Sequence, residues 1–231
     1  MSRKFKIHKD PNDTGCTLYK KGTITIQPGV TVLVGCNGAG KTTLIKCLEE
    51  KLDNEDIPHI KYNNLTEGGN SSMQDALFRD DISFLVRGAI SSEGERIVMN
   101  MEKMARKIGE FVRTGKSNDM KNIFADIFSG AKESKKKLAN ERWIFLDAID
   151  SGLSVDNIVD IKEVLFETIL EHNAGNEIYI IVSANEYEMA RGQHCFDVYN
   201  GKYVTFKDYE EYREFILKSK EIKCKRYDKS K

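Results

Sequence analysis

The sequence has no run of about 18 apolar residues, so it predicts no transmembrane helix. Its first residues, MSRKFKIHKD, lack the apolar stretch of a signal peptide. It also lacks net charge. Over 231 residues, 36 Lys and Arg balance 36 Asp and Glu, and charged residues make up 31% of the chain. That balance gives no overall pull toward nucleic acid or a membrane surface and leaves only local patches. There is no Cys-x-x-Cys pair. Cys16, Cys36, Cys47, Cys195 and Cys224 are odd in number and irregular in spacing, which supports neither a zinc site nor a disulfide framework. Reduced thiols in a cytoplasmic protein are the expectation. No internal repeat and no coiled-coil heptads occur. The length suits a single domain, 1–231, with one elaboration.

What is present alternates between two periods. Strand-like runs lie at 5–8, 23–26, 30–34, 57–62, 143–146 and 178–183. Three of them, VTVLV, WIFL and IYIIVS, are nearly continuous apolar runs, as in parallel strands covered on both faces. Asn200-Gly201 lies between two alternating segments and predicts a C-terminal hairpin, because both residues tolerate positive φ. Helices are expected at 41–52, 96–114 and 155–172, with a last one after Asp208. Ile97, Met101, Met104, Ile108 and Phe111 form one stripe, and Ile158, Ile161 and Leu165 another, both read as core faces. Ser154 and Asp208 are expected N-caps, and Gly175 a terminator. The predicted fold is α/β: a mainly parallel sheet flanked by helices, with an antiparallel N-terminal β part. Two stretches look unpacked, the glycine-bearing 63–72 and the charged 129–140. Lys132, Lys135, Lys136 and Lys137 in the second read as a solvated face or a phosphate-binding patch.

Residues 35–42, GCNGAGKT, fit G-x-x-x-x-G-K-[ST], the phosphate-binding loop. Polyphosphate must accept hydrogen bonds from several backbone N–H groups at once. Gly35, Gly38 and Gly40 let the chain curl that tightly. The helix starting near Lys41 adds unpaired N–H groups and its positive dipole end. Asn37, Gly38, Ala39, Gly40, Lys41, Thr42 and Thr43 are therefore the candidate nucleotide-binding residues. Lys41 would reach the β- and γ-phosphates, and the Thr42 hydroxyl would ligate Mg²⁺. The loop's metal-side partner should be an acid that ends a distant strand; Asp147, closing WIFLD, fits. The implied cofactors are ATP and Mg²⁺, in a P-loop NTPase.

GCNGAGKTT resembles the loop of ABC-type ATPases, and LDAIDSGLS resembles their second motif with its following dimer loop. Between them, ISSEGER resembles the family signature in the Ser-x-Gly-Glu form of chromosome-maintenance and break-repair, SMC-like, ATPases. Ser92 and Glu95 also read as a helix capping box. The resemblance covers about half the chain. It implies a homodimer sandwiching ATP, in which Ser92, Gly94 and Glu95 meet the nucleotide held by the other copy.

The chain departs from that pattern in several places. Ala148 stands where the resemblance implies a general-base Glu, and a methyl group accepts no proton. Asp150 is the nearest acid. Ala184 stands where a histidine is implied, with Asn185 beside it. Gln74 is the one glutamine near the expected glutamine loop. Ala148 fits either a Glu replaced to trap ATP or a naturally hydrolysis-poor switch, and Ala184 leans toward the second. Lys41 and Ser92 are 51 positions apart, and Ser92 and Asp147 are 55 apart. Those spacings place an inserted helical and charged element at about 104–140, where a protein partner could dock. Tyr19 is the one candidate for adenine stacking, with core packing as its alternative role. The expected function is an ATP-binding, ATP-hydrolysing or nucleotide-gated protein in DNA maintenance, defence or mobile-element biology, with DNA as a possible partner. The alternatives are a transporter's nucleotide-binding subunit and a non-hydrolysing regulatory protein.

Overall fold

The computed structural model describes residues 2–11, 17–63, 93–116 and 140–228, with the side chains of 93–102 and 227–228 left aside. The expectations for 64–74, Ser92 and the lysines of 129–139 lie outside these residues. Two short strands, β1 (Arg3–Lys6) and β2 (Thr23–Ile26), pair antiparallel as a separate sheet. The main sheet contains β3 (Gly29–Val34), β4 (His59–Asn63), β5 (Glu141–Asp147), β6 (Glu177–Ser183), β7 (His194–Asp197) and β8 (Lys202–Val204). Their order is β4-β5-β6-β3-β7-β8. All neighbours are parallel except β7 and β8.

The continuous apolar runs occupy the sheet's centre, as doubly covered strands must. Alternation along them feeds two cores. Trp143, Phe145, Tyr179, Ile181 and Leu33 face α1 (Lys41–Asn54) and the small sheet; Leu44, Ile45, Leu48 and Leu52 of α1 meet them. Ile144, Leu146, Ile180, Val182 and Val32 face the opposite way. There they meet Met104, Ile108 and Phe111 of α2 (Glu93–Thr114) and Tyr212 of the last helix. Thus Met104, Ile108, Phe111 and Val112 of the expected 104–140 element are buried in the core.

Three local expectations are corrected. Helix α3 (Val155–Asp160) passes through a π-helical segment (Ile161–Phe166) into α4 (Glu167–Glu171). Wider π turns shift the apolar stripe. Ile158 and Ile161 are buried as expected, but Phe166 and Ile169 follow them, and Leu165 is only partly buried. Ser154 holds the N-cap position without a side-chain cap bond; its hydroxyl accepts the Asn157 amide at 2.9 Å. The hairpin pairs Asp197 with Lys202, so four residues connect its strands. Only Gly201 takes positive φ, at 62°. Asp197 closes the turn by accepting from the Asn200 backbone and side-chain amides at 3.1 and 2.7 Å.

A short α5 (Tyr187–Ala190) follows β6, and α6 (Tyr209–Asp228) ends the described chain. Asp208 caps α6 as expected, accepting the Glu211 N–H at 2.9 Å. Among the described residues, no helix is long and apolar enough to cross a membrane.

Candidate functional site

The site forms where β3, β5 and β6 end side by side. Strand β3 ends at Val34, and the glycine loop carries the chain into α1 at Lys41. Gly38 and Gly40 have φ of 76° and 104°, in the left-handed region that glycine adopts readily. A Cβ on Gly40 would meet the Tyr19 ring at 3.3 Å. Tyr19 is buried, and its hydroxyl donates to the Gly40 carbonyl at 3.0 Å. It therefore braces the loop from behind, in the packing role.

Lys41 is 8% exposed. Its Nζ donates to the Gly35 carbonyl at 2.8 Å and to Asn185 Oδ1 at 2.9 Å. Both acceptors are neutral. No carboxylate lies within ion-pair distance of it among the described residues. Burial pushes its pKa down, opposed by the more distant charges of Asp150, Cys36 and Asp147. A buried ammonium with only neutral hydrogen-bond partners has the charge to take up an anion.

Asp147 ends β5 beside Ser183 of β6, in register. Its Oδ1 accepts from the Ser183 hydroxyl at 2.6 Å and from the Thr42 hydroxyl at 3.1 Å. Its Oδ2 accepts from the Asn63 amide at 3.3 Å. A carboxylate held by three donors keeps a fixed bearing. Thr42 Oγ1 and Asp147 together offer hard oxygen atoms of the kind Mg²⁺ selects. The loop and this donor set fit a nucleotide triphosphate and its metal ion.

Ala148 carries φ of 53°, a conformation that costs a non-glycine residue about 1–2 kcal/mol. Its N–H donates to Ser183 Oγ at 3.1 Å. Asp150 is 2% exposed. Its Oδ2 accepts the N–H groups of Asn185 and Glu186 at 2.6 and 2.7 Å, and among the described residues its Oδ1 has no hydrogen-bond partner. Asp150 thus holds the turn after β6 and, through it, the Asn185 side chain that meets Lys41. Ala184 is buried and contributes no polar group.

The structure brings Lys41, Thr42, Asp147 and Asn185 together. Gly94 and Glu95 lie in the N-terminal part of α2, and Ser92 lies outside the described residues. Sequence reasoning missed Ser183 and Asn63. The serine ending IIVS was a usable signal, since polar residues at the carboxyl end of a buried strand face the ligand crevice. Among the described residues no cluster of three His, Cys, Asp or Glu could hold a metal by itself.

A protein-family profile described as an AAA domain matches residues 25–181. No curated protein sequence matches the chain. Among solved structures, the ADP conformation of MJ1267, an ATP-binding cassette of an ABC transporter, is similar at 17% identity and a TM-score of 0.41. That match covers 96% of this chain and 97% of the other.

Proposed function

This chain belongs to the AAA-domain family of P-loop ATPases, and on that premise we propose that it is a slowly hydrolysing, nucleotide-gated ATPase that dimerises on ATP. The observation that supports this best is Lys41, a buried ammonium with two neutral partners at the mouth of a glycine loop. Residues Asn37 to Thr43 hold the triphosphate, with Lys41 exchanging its carbonyl and amide bonds for phosphate oxygens. Thr42 and Asp147 hold Mg²⁺. When bound, the metal offsets charge on the β- and γ-phosphate oxygens. Asn185, placed by Asp150, lines the terminal phosphate side.

Turnover is slow because the position after Asp147 offers only the Ala148 methyl. Asp150 is the nearest acid, and one of its oxygens already serves two backbone amides. It acts as a positioning residue. The second copy supplies Ser92, Gly94 and Glu95 to the nucleotide, in the SMC-like manner. An element within 104–140 receives a protein partner, in DNA maintenance, defence or mobile-element biology. The non-hydrolysing alternative shares the same site and differs only in the rate at Ala148.

Size measurement with and without ATP and Mg²⁺ tests the reading. The mass doubles with both present and stays monomeric with Lys41→Ala. An unchanged monomer that binds ATP overturns the dimer; absence of ATP binding overturns the whole reading.

A further inference from the structure

Helix α6 is 20 residues long, about 30 Å at 1.5 Å per residue. It lies along the nucleotide loop. Tyr212 donates its hydroxyl to the Asn185 carbonyl at 2.8 Å. One face further on, Ser219 Oγ accepts the Cys36 N–H at 3.1 Å. Lys223 Nζ then donates to the Asn37 carbonyl at 2.8 Å. Arg226 closes the row by donating to the Leu18 carbonyl at 3.1 Å. Positions 212, 219, 223 and 226 share one helix face by spacing.

Three of these contacts are neutral ties or reach elsewhere, but Lys223 puts an ammonium on the loop itself. Its Nζ lies 3.0 Å from where a Cβ on Gly38 would be, so it occupies the space that glycine leaves open. The lysines Lys61 and Lys162 each have a carboxylate partner. Lys223 has none within ion-pair distance among the described residues, and its only polar partner there is a neutral carbonyl. Its helical neighbours three and four positions away are Ser219, Lys220, Arg226 and Tyr227, none of them acidic. The ammonium thus has no acidic residue one helical turn away, and it lies directly beside a loop shaped for phosphate.

We infer that Lys223 is a second phosphate-binding cation of the nucleotide site, supplied by the C-terminal helix to the same triphosphate that Lys41 meets from within the loop. The inference rests on the reading that this loop binds ATP. Lys41 approaches through the Gly35 carbonyl and Lys223 through the Asn37 carbonyl, so the two ammoniums flank the loop. A charge outside the loop adds most to the most highly charged ligand, so Lys223 favours triphosphate over diphosphate.

The test is calorimetric titration of the full chain with ATP and with ADP, both with Mg²⁺, at low and high salt. Lys223→Met weakens ATP about tenfold, the loss of one charge-assisted contact, and weakens ADP less. It flattens the salt dependence and leaves the melting temperature of the nucleotide-free chain unchanged. Lys223→Arg retains most of the ATP affinity. Ser219→Ala, which removes a tie without removing charge, weakens ATP and ADP alike. Unchanged ATP affinity in Lys223→Met overturns the inference while leaving the nucleotide reading intact. Equal losses for ATP and ADP with a lowered melting temperature also overturn it, reducing Lys223 to a structural tie. Failure of the unaltered chain to bind ATP sinks both.

Discussion

Four positions along β5, from Trp143 to Asp147, the surroundings change completely. Trp143 is fully buried, stacked on Tyr179 with ring centroids 4.0 Å apart and met edge-on by Phe5 at 5.2 Å. Its indole N–H donates to Glu141 at 2.9 Å, and Arg3 bridges Glu141 and Glu55 at the rim of that stack. Asp147 is 1% exposed, as hidden as Trp143, yet touches Thr42, Ser183 and Asn63. Equal burial therefore serves opposite ends. The middle of the sheet is filled by volume, and its carboxyl rim is filled by hydrogen bonds between side chains. Substitutions in the middle should alter stability and leave binding intact, while substitutions at the rim should do the reverse.

The sharpest test removes the centre. Trp143→Ala deletes the largest fully buried side chain and should cost about 3–5 kcal/mol of unfolding free energy by urea denaturation. ATP affinity of the fraction still folded should be near that of the unaltered chain; a comparable loss of both would erase the distinction. At the rim, Lys41→Ala removes a charge whose bonds are all to neutral groups. ATP affinity should fall about a hundredfold, as expected when charge-assisted bonds to a polyphosphate are lost. Stability without nucleotide should hold or rise, since a buried ammonium without a carboxylate partner is unfavourable.

Two smaller effects concern Ala148, where the middle meets the rim. Ala148→Glu places an acid beside Asp147 and should raise steady-state phosphate release at least about tenfold, below the full range of general-base catalysis. No rise would mean that the left-handed backbone aims the new carboxylate away from the phosphate. Ala148→Gly should stabilise by about 0.5–1 kcal/mol, because glycine adopts φ of 53° without strain. Destabilisation instead would show that the methyl packs usefully.

The middle was legible because its signal is local. VTVLV, WIFL and IYIIVS became β3, β5 and β6 within two residues at either end. The loop GCNGAGKT and the terminal aspartate of WIFLD were legible too, and the structure joins Thr42 to Asp147 across 105 positions. The π-helical segment was not legible, since one extra residue per turn leaves no mark on a short apolar stripe. Nor was the turn at 198–201, where the Asp197 side chain overrode the Asn-Gly preference. Lys223 and Ser219 carried no signal at all. A lysine in a charged helix looks solvated until tertiary structure lays it on a loop 186 positions away.

Ser183 has one hydroxyl and two clients. It donates to Asp147 and accepts from the amide of Ala148. Rotation of the chain at position 148 would dislodge that amide and loosen the hydroxyl, leaving Asp147 to its bonds from Thr42 and Asn63. The carboxylate that ends β5 and the left-handed residue after it consequently share one oxygen atom, so turning either disturbs the other.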